Sequence, residues 1–209
     1  MKSASSCTLV APIVGSNYVT QTVAQLTTGL KSKIEKRFNM QIISSGIHHG
    51  YFDDLYGGHG TQFNAEGVPT YSIPFDIQDA PSDTVSYAAV FYDLDAYEVT
   101  QGFPWIHWTL ANLKTTTVAA NASQQAPDFI QGVNTWHSPK TDHLSTEASA
   151  CYGGMTPPNR DHTYTLKVFA LDTTLDLQPG FYLNQMTAAM RGHILDSAVL
   201  EAQYRQFKH

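Results

Sequence analysis

Three short stretches of the 209-residue chain place ionisable side chains where apolar runs stop: Asp93 and Asp95 in YDLDAY, His107 in PWIHW, and His162 with Tyr164 in PPNRDHTY. An apolar strand that ends in such a group ordinarily ends at a rim or in a satisfied core pair. Three strands that each present one point to convergence on a shared site. A carboxylate beside two imidazoles favours the protonated ring. The merged site would then offer cationic donors, a neighbouring acceptor and apolar walls. An anionic head group, phosphate above all, suits that set, because charge-assisted hydrogen bonds contribute about 1.5–3 kcal/mol each. Gly153-Gly154 would let a backbone approach closely, and Pro157-Pro158 would stiffen the same wall.

The same Asp and His groups could serve other chemistry. His107 or His162 as a general base would make a hydrolase, and imidazole with carboxylate is ordinary metal-ligand chemistry. Yet HExxH, CxxC and GxSxG are all absent from the sequence. The expectation is therefore non-catalytic binding with no catalytic residue, no metal and no cofactor. A protein whose pocket is secondary and whose N-terminal segment mediates assembly is a third reading.

The elements that must carry these residues read as strands. SYAAVFYD (86–93) is apolar on both faces until Asp93. WIHWTLANL (105–113), by strict alternation, sets Trp105, His107, Thr109 and Ala111 against Ile106, Trp108 and Leu110. HTYTLKVFAL (162–171) aligns His162, Tyr164, Leu166 and Val168. YLNQMTAAMR forms a short helix that Gly192 terminates, and Ala198, Leu200, Ala202 and Tyr204 alternate as a last strand. Between them, 115–161 is long and irregular, as functional loops often are. From Asn39 onward the rhythm is that of an all-β domain.

Residues 1–38 differ. Val19, Val23, Leu26, Leu30, Ile34 and Phe38 mark one face of a helix over 18–38, preceded by a loose tail over 1–16. The helix would dock on the body of the domain, on a second copy as a homodimer, or on a membrane surface. The chain thus divides into an N-terminal extension, 1–38, and a domain, 39–209. The extension has five bases and one acid, whereas the rest has seven bases and 17 acids, within a total of −6. An acidic body repels phosphate backbones, so nucleic acid is not an expected partner. No stretch approaches the roughly 20 apolar residues of a membrane span. Cys7 and Cys151 are weak support for a disulfide, and MKSASSCTLVAPIVG is a poor secretory signal, which leaves the cytoplasm as the expected compartment. His48, His49, His59, His137 and His143 are marked by residue type alone. His193, after Gly192, reads as a helix C-terminal dipole or packing residue.

YDLDAY, PWIHW, YGGMTPPNRDHTY, VFALDTTLDL and GHILDSAVLEAQY, in that order, resemble the phosphatidylethanolamine-binding protein family, nearest its bacterial Raf kinase inhibitor-like (YbhB/YbcL) branch. The likeness runs from about Asn39 to Arg205. It implies a mainly β fold, an antiparallel β-sandwich with a short helix near the C-terminus, and a small pocket for phosphate-like or carboxylate-like anions. It also implies a role in binding phospholipid head groups or in modulating a kinase or protease partner. Asp93 and Asp95 match the two aspartates of the family's Asp-Pro-Asp-Ala-Pro motif, His107 its strand histidine, and Pro157, Pro158, His162 and Tyr164 its proline pair and His-x-Tyr. Leu94 and Tyr97 replace both motif prolines. Met155-Thr156 stands where relatives often have Pro-Cys, and Thr163 replaces an arginine for which Arg160 is the nearest substitute.

Overall fold

The structure is a computed structural model and describes residues 39–125, 128–141 and 143–208. The tail and helix expected in residues 1–38 lie outside the described residues. Among the described residues, ten strands form two sheets. A small one has the order β1 (Gln41–Ile43), β4 (Phe75–Gln78), β7 (Thr117–Val118). The large one runs β2 (Ile47–His48), β3 (Tyr51–Phe52), β10 (Ile194–Tyr204), β9 (His162–Leu171), β5 (Ser86–Asp93), β6 (Trp105–Leu113), β8 (Ile130–Gly132). All named pairings are antiparallel except β10 with β3. Among the described residues, three short α-helices accompany them: α1 (Tyr97–Thr100), α2 (Thr146–Ser149) and α3 (Leu183–Ala189). The chain is mainly β, as its pattern and its resemblance imply.

β5 is apolar on both faces because the large sheet is covered on both sides. Tyr87, Ala89 and Phe91 join Ile42, Phe75, Ile77 and Val118 of the small sheet in one core, while Ala88 and Val90 join Phe181, Met186 and Met190 around α3 in another. The helix ends as expected before Gly192, whose φ of 82° suits only a residue without Cβ.

Strict alternation fails in β6. Phe91 pairs with Trp108 but its neighbour Tyr92 pairs with Ile106, so His107 is the extra residue of a β-bulge. The bulge turns His107 to the side of Trp108, where its ring meets those of Phe91 and Tyr164, rather than to the opposite face. The expected irregular stretch 115–161 holds β7, β8, α2 and two tight turns, Ala122–Gln124 and Thr135–His137.

Candidate functional site

Convergence follows from sheet order. β5 runs antiparallel to both β6 and β9, so its last residue lies beside the first residues of both: Asp93 pairs with Trp105 on one side and with Tyr164 on the other. Next along, His162 of β9 pairs with Tyr204 of β10. The three chemistry-bearing stretches therefore meet at one end of the large sheet.

Asp93 and His162 form its buried centre. Asp93 Oδ2 lies 2.7 Å from His162 Nδ1, and Oδ1 accepts the Ala96 N–H at 3.1 Å. His162 Nε2 meets Asn159 Oδ1 at 2.6 Å, while the Asn159 Nδ2 donates to Glu98 Oε2 at 3.0 Å, which sets the direction of the amide. Both ring nitrogens thus face oxygens that only accept, an arrangement fully satisfied when each carries a proton. The side chains are 1% and 4% exposed. His162 is committed to the protein on both sides and keeps no donor for a ligand.

His107 is different. Its Nδ1 donates to the Gly153 carbonyl at 2.7 Å, and the Gly153 N–H donates back to the His107 carbonyl at 2.9 Å. Rings of Phe91, Trp136 and Tyr164 enclose it at centroid distances of 5.8, 5.5 and 5.2 Å. Burial pushes its pKa from 6.5 down to about 4, against the opposing pull of the Asp93 carboxylate. At neutral pH the ring is uncharged, and Nε2, which has no hydrogen-bond partner among the described residues, presents a lone pair. The expected pair of cationic donors is thus one committed imidazole and one neutral one.

A cavity of about 190 Å³ opens here, lined by Asp93, His107, Pro157, Pro158, His162 and Tyr164 together with Ala96, Val99, Thr100, Trp105 and Thr156. The Tyr164 hydroxyl has no hydrogen-bond partner among the described residues, and burial raises its pKa well above 10.0, which keeps it a donor. The indole Nε1 of Trp105 is buried without a partner. The Tyr164 and Thr156 hydroxyls and His107 Nε2 are therefore polar groups of the lining without a hydrogen-bond partner among the described residues, whereas the Trp105 N–H is closed off from the cavity. Trp105 stands in PWIHW two places before a singled-out histidine, but sequence reasoning marked it only as a face residue, and it marked Asn159 not at all.

Of the sequence-selected residues, Asp95 is not on the lining, nor are Gly153 and Gly154. Its Oδ1 pairs with Arg160 Nη2 at 3.0 Å and its Oδ2 accepts the Thr163 N–H at 2.8 Å. Arg160 also pairs with Glu98. Asp95 therefore fastens the loop before β9 to the loop after β5, and Arg160 is spent in that clamp rather than standing at the entrance. A second fastening comes from the chain end: the Phe207 N–H donates to the Pro157 carbonyl at 2.8 Å, the Gln206 side chain to the Pro158 carbonyl at 2.7 Å, and the Gln206 N–H to Asp161 Oδ1 at 2.9 Å.

The remaining histidines lie elsewhere. His48 pairs with Asp53, His59 bonds the Gln206 carbonyl, and His193 pairs with Asp172 at 2.8 Å while its backbone N–H donates to the Met190 carbonyl at the end of α3. Among the described residues, no three His, Cys, Asp or Glu side chains cluster as ligands of a metal would, and no helix is long and apolar enough to cross a membrane.

A two-sheet antiparallel β protein with an enclosed Asp/His cavity at one sheet end defines a class, and comparison with known proteins agrees. Residues 48–205 match the model of the phosphatidylethanolamine-binding protein family, and the chain belongs to that family. It is 41% identical over 155 residues to the uncharacterized protein YxkA of Bacillus subtilis, covering 72% of this chain and 92% of that one. A UPF0098 protein of Chlamydia muridarum is 32% identical over 147 residues, covering 69% and 89%. Among solved structures, CT736 of Chlamydia trachomatis, described as a phosphatidylethanolamine-binding protein homolog, superposes with a TM-score of 0.65 at 26% identity, covering 81% and 99%. Escherichia coli YbcL shares the fold with a TM-score of 0.61 at 22% identity, covering 79% and 98%.

Proposed function

We propose that the protein binds small anionic or phosphorylated head groups, without turnover, in the cavity between Asp93, His107 and Tyr164. Membership of a family named for ligand binding supports the general role. The observation that carries the specific one is the pair of uncommitted polar groups on a largely apolar lining: one donor, Tyr164 O–H, beside one nitrogen, His107 Nε2, that becomes a second donor by taking up a proton. An anion entering here supplies the charge that a buried imidazolium lacks, so binding draws a proton onto His107. The Asp93–His162 pair ties the end of β5 to the start of β9 beside the cavity. A hydrolytic base at His162 would need a free nitrogen, and both are engaged.

The finer parts of this reading are a cytoplasmic setting, modulation of a protein kinase or protease, and an appended segment 1–38 that serves docking or dimer formation. They rest on the resemblance and on the composition of that segment.

Calorimetry with phosphate, phosphorylethanolamine and acetate tests the central claim, on the wild type and on His107→Ala. Binding that weakens in the variant, with proton uptake revealed by buffers of different ionisation enthalpy, is the expected result. Identical titrations for the two proteins would overturn it.

A further inference from the structure

The cavity of about 190 Å³ is small beside the roughly 300–1,000 Å³ of ordinary small-molecule sites, so it admits a head group and little more. What it offers that head group is few donors. No Lys or Arg is on the lining among the described residues, and Arg160 is paired with Asp95 and Glu98. Pro157 and Pro158 have no N–H to give. Thr100 Oγ1 donates to the Phe103 carbonyl and accepts the Phe103 N–H, and both nitrogens of His162 are engaged. Among the side chains open to the cavity, the hydroxyls of Tyr164 and Thr156 are the donors left.

His107 sets the other half of the match. Its Nδ1 gives its proton to the Gly153 carbonyl at 2.7 Å, so Nε2 meets the cavity as a lone pair. The titratable groups that face the ring are Asp93 of β5 and His162 and Tyr164 of β9, while the loop side offers it the Trp136 ring and glycine carbonyls. Asp93 is a further acceptor on the lining, already receiving the Ala96 N–H. An oxyanion with acceptor atoms alone would set an oxygen against the Nε2 lone pair. It can bind only after a proton is added to the ring, and burial resists that step. An oxyacid that keeps one proton removes the conflict, because its own O–H donates to Nε2.

We infer that the cavity selects a ligand that brings its own proton, a phosphate monoester in its monoanionic form, whose P–OH donates to His107 Nε2 while its other oxygens accept from Tyr164 and Thr156, and that it discriminates against sulfate and against the phosphodiester of an intact phospholipid. This rests on the head-group reading above and narrows it to one class of ligand. Sulfate and a phosphodiester are the right shape and charge sign but have no proton to give, so each must wait for the ring to be protonated from water.

The test titrates the wild type with methyl phosphate, dimethyl phosphate and sulfate, by calorimetry at about pH 7, 6 and 5 and fixed salt, a range in which only the monoester changes its own charge, near about pH 6. At about pH 7 the monoester should bind more tightly than sulfate by about tenfold or more. From about pH 6 to 5 its affinity should rise only about twofold, as its monoanion fills, while that of sulfate and dimethyl phosphate rises about tenfold with protonation of the ring. In His107→Asn neither sulfate nor dimethyl phosphate should gain. Since that substitution also opens the aromatic cage, phosphorus NMR of the wild type supplies a second readout: methyl phosphate bound at about pH 7.5 should keep the shift of the monoanion, although the free ester is then a dianion. Three ligands that gain in parallel as the pH falls, or a bound ester with the shift of the dianion, would overturn the inference and leave the head-group site standing. A tenfold gain for sulfate that persists in His107→Asn would equally overturn it. A wild type that binds none of the three would overturn the head-group reading, and this one with it.

Discussion

Asp93 and His162 face each other across 2.7 Å at the shared end of β5 and β9, both almost wholly removed from water. The pair matters less as a ligand contact than as the support between two walls of the cavity. Asp93 also receives the Ala96 N–H from the loop after β5, and His162 also holds Asn159 from the loop before β9.

Removing one partner of such a pair strands a buried polar group. Asp93→Asn should lower stability by about 3 kcal/mol, the lower end for breaking a buried ion pair. Urea unfolding of Asp93→Asn, His162→Asn and the double variant measures it. The double variant should be less destabilised than the two single losses predict together, since neither partner is then left alone. Additive losses would show that the two side chains do not act as a unit.

His107 makes stability depend on pH in a definite direction. Between its ordinary 6.5 and the folded value of about 4, the unfolded chain binds a proton that the folded chain excludes. The contribution is whole above 6.5 and is lost as the pH falls, by about 3 kcal/mol in total below the folded value. His107→Asn keeps an N–H for the Gly153 carbonyl and cannot titrate. Its stability should fall less than that of the wild type across this window, and parallel acid curves would count against a buried neutral imidazole.

Ligand affinity should run the other way. Sulfate keeps its charge across the same range, so any pH dependence belongs to the protein. Wild-type affinity should rise as the pH is lowered through the window while the fold persists, and His107→Asn should remain flat. Sulfate binding that is independent of pH in both proteins would place the anion away from His107.

Asp95 is predicted to matter without touching a ligand. Asp95→Ala leaves Arg160 paired with Glu98 alone and the Thr163 N–H without its acceptor, a loss of about 1 kcal/mol. Amide exchange at Thr163 should quicken, and phosphate affinity should fall modestly through a looser wall. A complete loss of binding with unchanged exchange would instead assign Asp95 to direct contact.

Truncation after Arg205 removes the Gln206 and Phe207 bonds to Pro157, Pro158 and Asp161. The proline wall should then exchange and fluctuate more, and head-group affinity should drop several-fold while the sheet core keeps its protection. Calorimetry alongside hydrogen exchange separates the two effects. An unchanged affinity would mean that the wall stands without its strap.

Much was legible in the residues because it depends on local pattern. Period-two alternation marked β9 and the end of β10, and a run apolar at every position marked β5 as covered on both faces. The breaks in those runs singled out Asp93, His107 and His162, since an ionisable group closing an apolar strand needs a reason nearby. The motif order then carried the family.

What no pattern carried was which partner each group would take, because partners are chosen between segments 46 to 69 residues apart. His107 and His162 look alike in the sequence. Yet one lies between Asp93 and Asn159 with both nitrogens occupied, and the other sits in an aromatic cage that denies it charge. Asp93 and Asp95 are two places apart, and one lines the cavity while the other clamps its loop. The bulge that re-aims His107 breaks the period-two alternation that its strand otherwise follows. Composition and periodicity determined the sheets and the inventory of reactive groups. Hydrogen-bond competition and burial, which act only once the chain is folded, decided what each group is free to do.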